Sequence, residues 1–187
     1  FMMNSYVLDL SRTFSSSTDK LLISPMFGFT ILGHYQLGIQ FLSILSILPS
    51  IVYQFILPED SSGNSNYKLK KYTIIFSTIL AFLGIALSPF VLPALFPKFT
   101  DAIEVVQIVS LSIIPATINL IYISKFLGKG LSRIVLIGSG VFLSVQITAI
   151  FMLGQIYGVN GVATALLIAT SAEAVFLVIT NRVFYKI

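Results

Sequence analysis

An all-α membrane bundle of six spanning helices is the fold class this sequence predicts, on three observations. Of the 187 residues 56% are hydrophobic and only 10% charged, with a mean hydropathy of +0.97. So little polar surface does not cover a water-soluble globule of this size, and lipid must take the place of water. Apolar runs near the roughly 20 residues needed to cross a bilayer recur six times along the chain. When those runs are threaded back and forth, nine of the eleven Lys and Arg fall on one side.

The spans are read at residues 5–31, 36–57, 72–92, 105–124, 134–154 and 161–180, forming one transmembrane lobe over residues 1–187. The first joins an apolar stretch, Leu21 to Ile31, to a polar extension running back through Phe14 to Ser5. In that extension Asp9, Arg12, Ser16 and Asp19 recur at steps of three, four and three, which stacks them on one helix face. Lys20 projects about 100° away from Asp19. An ionisable group at membrane depth costs on the order of 2.5 to 3.5 kcal/mol and usually faces a bundle interior or a watery cavity. Two placements follow. Either this helix lines a pathway, bending at Pro25 and Gly28, or the span starts near Leu21 and leaves Asp19 and Lys20 at the interface.

Turn chemistry separates the remaining spans. Gly33-His34-Tyr35 precedes the second, and a loop over 58–71, opened by Glu59-Asp60 and rich in Ser, Gly and Asn, reads as a flexible linker before the third. Pro97 to Asp101 leads to the fourth, Gly128-Lys129-Gly130 to the fifth, and Gly154 to Gly161 to the sixth. Pro49, Pro89, Pro93 and Pro115 mark kinks or helix ends. The last span carries Glu173 in an otherwise small and apolar stretch, Ala165 to Phe176. Glu173 is a candidate for ion or proton coupling, and equally for a structural glutamate bonded to a neighbouring helix. Gln40, Gln107, Asn119, Gln146 and Asn160 read as interhelical glue, worth under about 1 to 2 kcal/mol each.

Charge sets the orientation. Arg12, Lys68, Lys70, Lys71, Lys125, Lys129, Arg133, Arg182 and Lys186 lie nearest one face, Lys98 nearest the other, and Lys20 belongs to neither. By the positive-inside rule the nine-residue face is cytoplasmic, and an even number of spans puts both chain ends there. The net charge of +4 and pI near 9.4 then reflect basic loops beside anionic headgroups, with no nucleic acid invoked.

Catalysis finds little footing. There is no Cys, so no thiolate nucleophile or metal site, and His34 is the single histidine. No phosphate loop, HExxH or serine elbow occurs, no metal or organic cofactor is implied, and the expectation is that the protein is not an enzyme.

Several stretches resemble the C-terminal half of prokaryotic polysaccharide-type flippases of the multidrug, oligosaccharidyl-lipid and polysaccharide exporter superfamily. Asp19-Lys20-Leu21-Leu22-Ile23-Ser24 and Gly33-His34-Tyr35-Gln36-Leu37-Gly38 match the family's Asp-bearing seventh helix and the start of its eighth. Leu95 to Ala102 leading to Leu111-Ser112-Ile113-Ile114-Pro115, then Leu127 to Gly130, then Gly158 to Ala165, follow in the family's order. The resemblance implies a six-helix lobe of a roughly twelve-helix exporter in the prokaryotic cytoplasmic membrane. The second lobe would come from the same or a separate chain, and a polyprenyl-linked glycan would be moved by alternating access. It makes Arg12 and Lys20 candidate headgroup contacts that Asp19 orients or neutralises, with Glu173 the candidate for cation coupling. The competing expectations are a non-catalytic membrane subunit anchoring a larger complex, and a multidrug-type cation-coupled efflux lobe.

Overall fold

A computed structural model describes the backbone of residues 2–63 and 66–184 and the side chains of 19–63 and 66–183. The chain is all-α as expected: α1 (Met2–Leu45), α2 (Ile47–Ser61), α3 (Tyr67–Leu95), a 3₁₀ turn (Pro97–Ala102), α4 (Ile103–Leu111), α5 (Ile113–Gly128) and α6 (Ser132–Phe184), with no strand among the described residues. By length and composition Tyr67–Leu95, Pro97–Gly128 and Ser132–Val183 are long and apolar enough to cross a membrane. Asp19–Leu45 and Ile47–Ser61, bent by 49° at their junction, make a fourth if taken as one broken span.

The 44 residues of α1 and the 53 of α6 would extend about 66 and 80 Å if straight, more than twice the hydrocarbon thickness of a bilayer. Neither is straight. Gly28 (φ 84, ψ 172) and Gly158 (φ 57, ψ −130) leave helical geometry at a positive φ that an L side chain resists, and the chain turns back on itself at both. Asp19 and Tyr35, which a straight helix would hold about 24 Å apart, are hydrogen-bonded at 2.8 Å. The backbone of Gly161 lies against the Leu153 carbonyl, and Gly138 against Leu177 and Phe176. Each long element is therefore an antiparallel pair of arms, 2–27 with 29–45 and 132–157 with 159–184. The two pairs pack together through a core of Ile23, Tyr35, Ile150, Val162 and Ala165, where the Phe27 ring presses on Gly154.

The outer helix α3 is patterned inside out relative to a soluble helix. Between Lys70 near its start and Leu92 near its end, its buried positions are Thr73, Ser77, Ala81, Gly84 and Ser88, whereas Phe76, Ile79, Phe82 and Phe90 are exposed. Between helices in lipid the hydrophobic effect gives no attraction, so small residues that allow close approach and hydrogen bond across do the joining. Thr117 donates to Ser77 at 2.8 Å, and Gly84 leaves no room for a methyl beside Ser110.

Three sequence expectations change. The break expected at Gly33-His34-Tyr35 is helical, and the reversal falls earlier, at Gly28, the residue whose φ is positive. The loop expected over 58–71 contracts, because α2 continues to Ser61 and α3 starts at Tyr67, its first turn capped by the Asn66 side chain accepting from the Leu69 amide. Asp60 is no linker residue. Its carboxylate accepts from Lys70 Nζ at 2.6 Å and from Ser124 Oγ at 2.7 Å, tying the ends of α2, α3 and α5. Gly128 is glycine because the Asp60 backbone occupies the place of its Cβ.

These contacts separate charge along the bundle. Lys125 feels the charges of Lys129, Lys70 and Asp60 at one end, where Arg133 opens α6 and Arg182 nears its close. Lys98, Asp101 and Glu104 mark the opposite end, where Asn160 donates to Glu104 and His34 meets Phe99 edge-on at 5.6 Å.

Three outcomes follow for thermal unfolding in detergent. Gly161→Ala, whose methyl would stand 2.0 Å from the Leu153 oxygen, destabilises by about 1 to 3 kcal/mol, while Gly140→Ala, with nothing within 4 Å, is neutral or stabilising. Asp60→Ala, which leaves the Lys70 ammonium buried without its carboxylate, costs about 3 to 5 kcal/mol.

Candidate functional site

Where the two hairpins and α5 meet, the bundle leaves an open-sided chamber of about 380 Å³ that is not filled by side chains. Asp19 enters from the first arm of α1, Ile39 and Leu42 from the second, and Asn119 from α5. Ser139, Phe142 and Gln146 come from the first arm of α6, and Leu166, Thr170 and Glu173 from the second. Two candidate residues 154 positions apart in sequence, Asp19 and Glu173, thus share one wall system. Glu173 stands nine residues before Arg182, roughly 14 Å of helix inside the basic end.

Asp19 is held as an acceptor. It is 5% exposed, and its carboxylate takes the Tyr35 hydroxyl at 2.8 Å and the Lys20 backbone amide at 2.8 Å. Tyr35 is fully buried, and Gln146 stands close enough to influence its hydroxyl. The polar groups Gln146, Tyr35 and Asp19 therefore line up from the α6 hairpin to the α1 hairpin, joined by the Tyr35–Asp19 bond. The reversal at Gly28 creates it, by laying Tyr35 beside Asp19.

Glu173 is built into a second group. Asn119 Nδ2 donates to Glu173 Oε2 at 2.9 Å and to the Thr170 carbonyl at 3.2 Å. The Thr170 hydroxyl returns to the Leu166 and Leu167 carbonyls, as hydroxyls do in apolar helices, while its own carbonyl is bent toward Asn119. Both amides of the chamber keep an oxygen in reserve: Asn119 Oδ1 and Gln146 Oε1 are buried without a hydrogen-bond partner. A buried polar oxygen left unpaired costs about 1 to 3 kcal/mol, so both oxygens favour any donor, water or cation that enters.

Among the described residues of the wall, the ionisable groups are the two carboxylates. Two carboxylates in one poorly hydrated space favour a compensating positive charge, whether a proton, a cation or a basic side chain. Lys20 is half-buried next to Asp19 but does not line the chamber. The side chain of Arg12, with those of Asp9 and Ser16, lies outside the described residues. Gln40 is exposed, and Gln107 bonds the Ile85 carbonyl at 3.4 Å, as glue would.

Sequence reasoning isolated Asp19 and Glu173 but not their company. Tyr35 was assigned to a loop, and Asn119 and Gln146 were grouped with three other amides that do not reach the chamber. The available signal was spacing from the right hinge: with the reversal at Gly28, Tyr35 and Asp19 fall seven and nine residues from the turn.

The coupling across the Tyr35–Asp19 bond is measurable. In a double-mutant cycle on Asp19→Asn and Tyr35→Phe, read by thermal unfolding in detergent, an interaction energy of about 1 to 3 kcal/mol is expected. Strict additivity would mean that the hydrogen bond does not form. Comparisons with protein-family models, with curated proteins and with solved structures each return no match.

Proposed function

We propose that this chain is one lobe of a membrane transporter that carries a lipid-linked oligosaccharide or polysaccharide precursor across the cytoplasmic membrane by alternating access, beside a second lobe of similar size. The observation that carries the transport part is the chamber. An anchoring bundle gains nothing from setting Asp19, which is buried, and Glu173, which is half-buried, around unfilled space, because carboxylates are costly there. A lobe that must bind, release and rebind a charged species needs such a space. The glycan substrate rests on the sequence resemblance alone.

The topology proposed with it has six crossings. With Gly28 and Gly158 as turns at the far membrane surface, residues 2–27, 29–61, 67–95, 97–128, 132–157 and 159–184 each make one passage. The exposed Phe and Ile side chains of α3 face lipid in this arrangement, and the lysine-rich end is cytoplasmic. Glu173 then acts in ion or proton coupling, with Asn119 presenting it. Asp19, set by Tyr35, either shares that cation or neutralises the basic groups that meet a phosphate headgroup, Lys20 and Arg12.

A second transport reading, cation-coupled efflux of multidrug type, draws on a specific feature: the described ionisable groups of the chamber are carboxylates, suited to cationic cargo. One pair of assays separates them. In cells carrying the intact transporter, Asp19→Asn and Glu173→Gln are expected to lower glycan export at least tenfold at normal membrane levels, on the order of 1.4 kcal/mol or more of lost coupling. Normal glycan export with lost extrusion of a fluorescent organic cation selects efflux. Wild-type behaviour of both variants in both assays overturns transport through this chamber.

A further inference from the structure

Between α2 and α3, on the outside of the bundle and away from the chamber, runs an apolar groove of about 330 Å³ lined by Leu48, Val52, Tyr72, Phe76 and Ile79 among others. It ends at the basic end of the bundle, where α3 begins Tyr67-Lys68-Leu69-Lys70-Lys71-Tyr72. The three lysines of that segment have different fates. Lys70 is turned inward and its charge is met by Asp60, whereas Lys68 and Lys71 are exposed. Helical register places Lys68 one turn before Tyr72, and Lys71 one turn before Ile75, so both cations stand at the mouth of the groove. Tyr67 and Tyr72 are 77% and 66% exposed beside them, as tyrosines are where a membrane meets water.

We infer that this groove binds one molecule of an anionic phospholipid, its phosphate headgroup held by Lys68 and Lys71 and an acyl chain lying along α3. The dimensions agree. From Leu69 to Ile79 the groove follows α3 for about 15 Å, which is the depth of one leaflet of a hydrocarbon core about 30 Å thick. The ligand must be an amphiphile, because the two cations stand directly over an apolar wall and a soluble anion would leave that wall uncovered. It must be anionic, because the two exposed lysines make no ion pair among the described residues, while Asp60 is taken by Lys70. The inference rests on the membrane setting of the helices and is independent of what the chamber transports.

The test uses the full chain in a neutral detergent, titrated with phosphatidylglycerol, with phosphatidylcholine, and with glycerophosphoglycerol, the same headgroup without acyl chains, and read by native mass spectrometry. Two lysines near a phosphate set an expected loss of roughly 30-fold in phosphatidylglycerol affinity for Lys68→Gln/Lys71→Gln, with phosphatidylcholine binding unchanged. Lys129→Gln/Arg133→Gln, exposed at the same end but off the groove, is the reference pair and is expected to stay within about twofold. Lipid-free melting temperatures equal to the parent's establish that both pairs fold. The site is overturned if the Lys68/Lys71 pair keeps its preference for phosphatidylglycerol, if both pairs lose it equally, or if the free headgroup competes as well as the lipid.

Discussion

The hydrogen bond from Tyr35 to Asp19 exists only because the chain reverses at Gly28, and much of the interior is arranged around that reversal and its counterpart at Gly158. Once 2–27 and 29–45 lie side by side, Asp19 has a buried donor and can stay inside the bundle. Once 132–157 and 159–184 do the same, Gln146 and Glu173 face the same chamber from two arms of one element. Each glycine supplies a backbone conformation rather than a contact: neither Gly28 nor Gly158 has any atom within 4 Å of where a Cβ would sit. What they permit is contact elsewhere, as at Gly161 and Gly154, where there is no room for more than a hydrogen.

Polar groups in this bundle follow a division of labour set by the scarcity of water. Thr73 of α3 and Thr117 of α5 bond carbonyls of their own helices, and Thr117 and Ser77 meet hydroxyl to hydroxyl between them, so these groups join helices without exposing charge. Asp60 and Lys70 neutralise one another where three helix ends meet, and a buried pair of this kind fixes geometry more than it adds stability. Around the chamber two amide oxygens, Asn119 Oδ1 and Gln146 Oε1, are buried without a donor, as are a few others elsewhere in the bundle, among them Gln36 Oε1 and Glu59 Oε2. What marks the chamber is that its two stand beside two carboxylates.

The two carboxylates of the candidate site were legible in the sequence, because a charge inside an apolar run has no cheap explanation. Asp19 and Glu173 stood out on that ground, and both reach the chamber. Tyr35, Asn119 and Gln146 were not legible as site residues. A tyrosine or an amide is tolerated at many depths in a membrane, so its presence carries little information until its neighbour is known. Asp60 misled for the opposite reason: a carboxylate beside Ser, Gly and Asn looks solvated, and only the return of α5 supplies Ser124 and encloses it.

The sequence by itself determined the solvent, the helical class and the segregation of charge to one end, since these follow from composition and from the order of apolar and polar runs along the chain. Tertiary structure decided where the long helices reverse and which polar residues meet. A hinge is set by one residue's backbone angles, and Gly33 and Gly28 look equally able to turn until packing selects one. The partners of Asp19 and Glu173 lie 16 and 54 residues away along the chain, and no local pattern encodes a meeting at that distance.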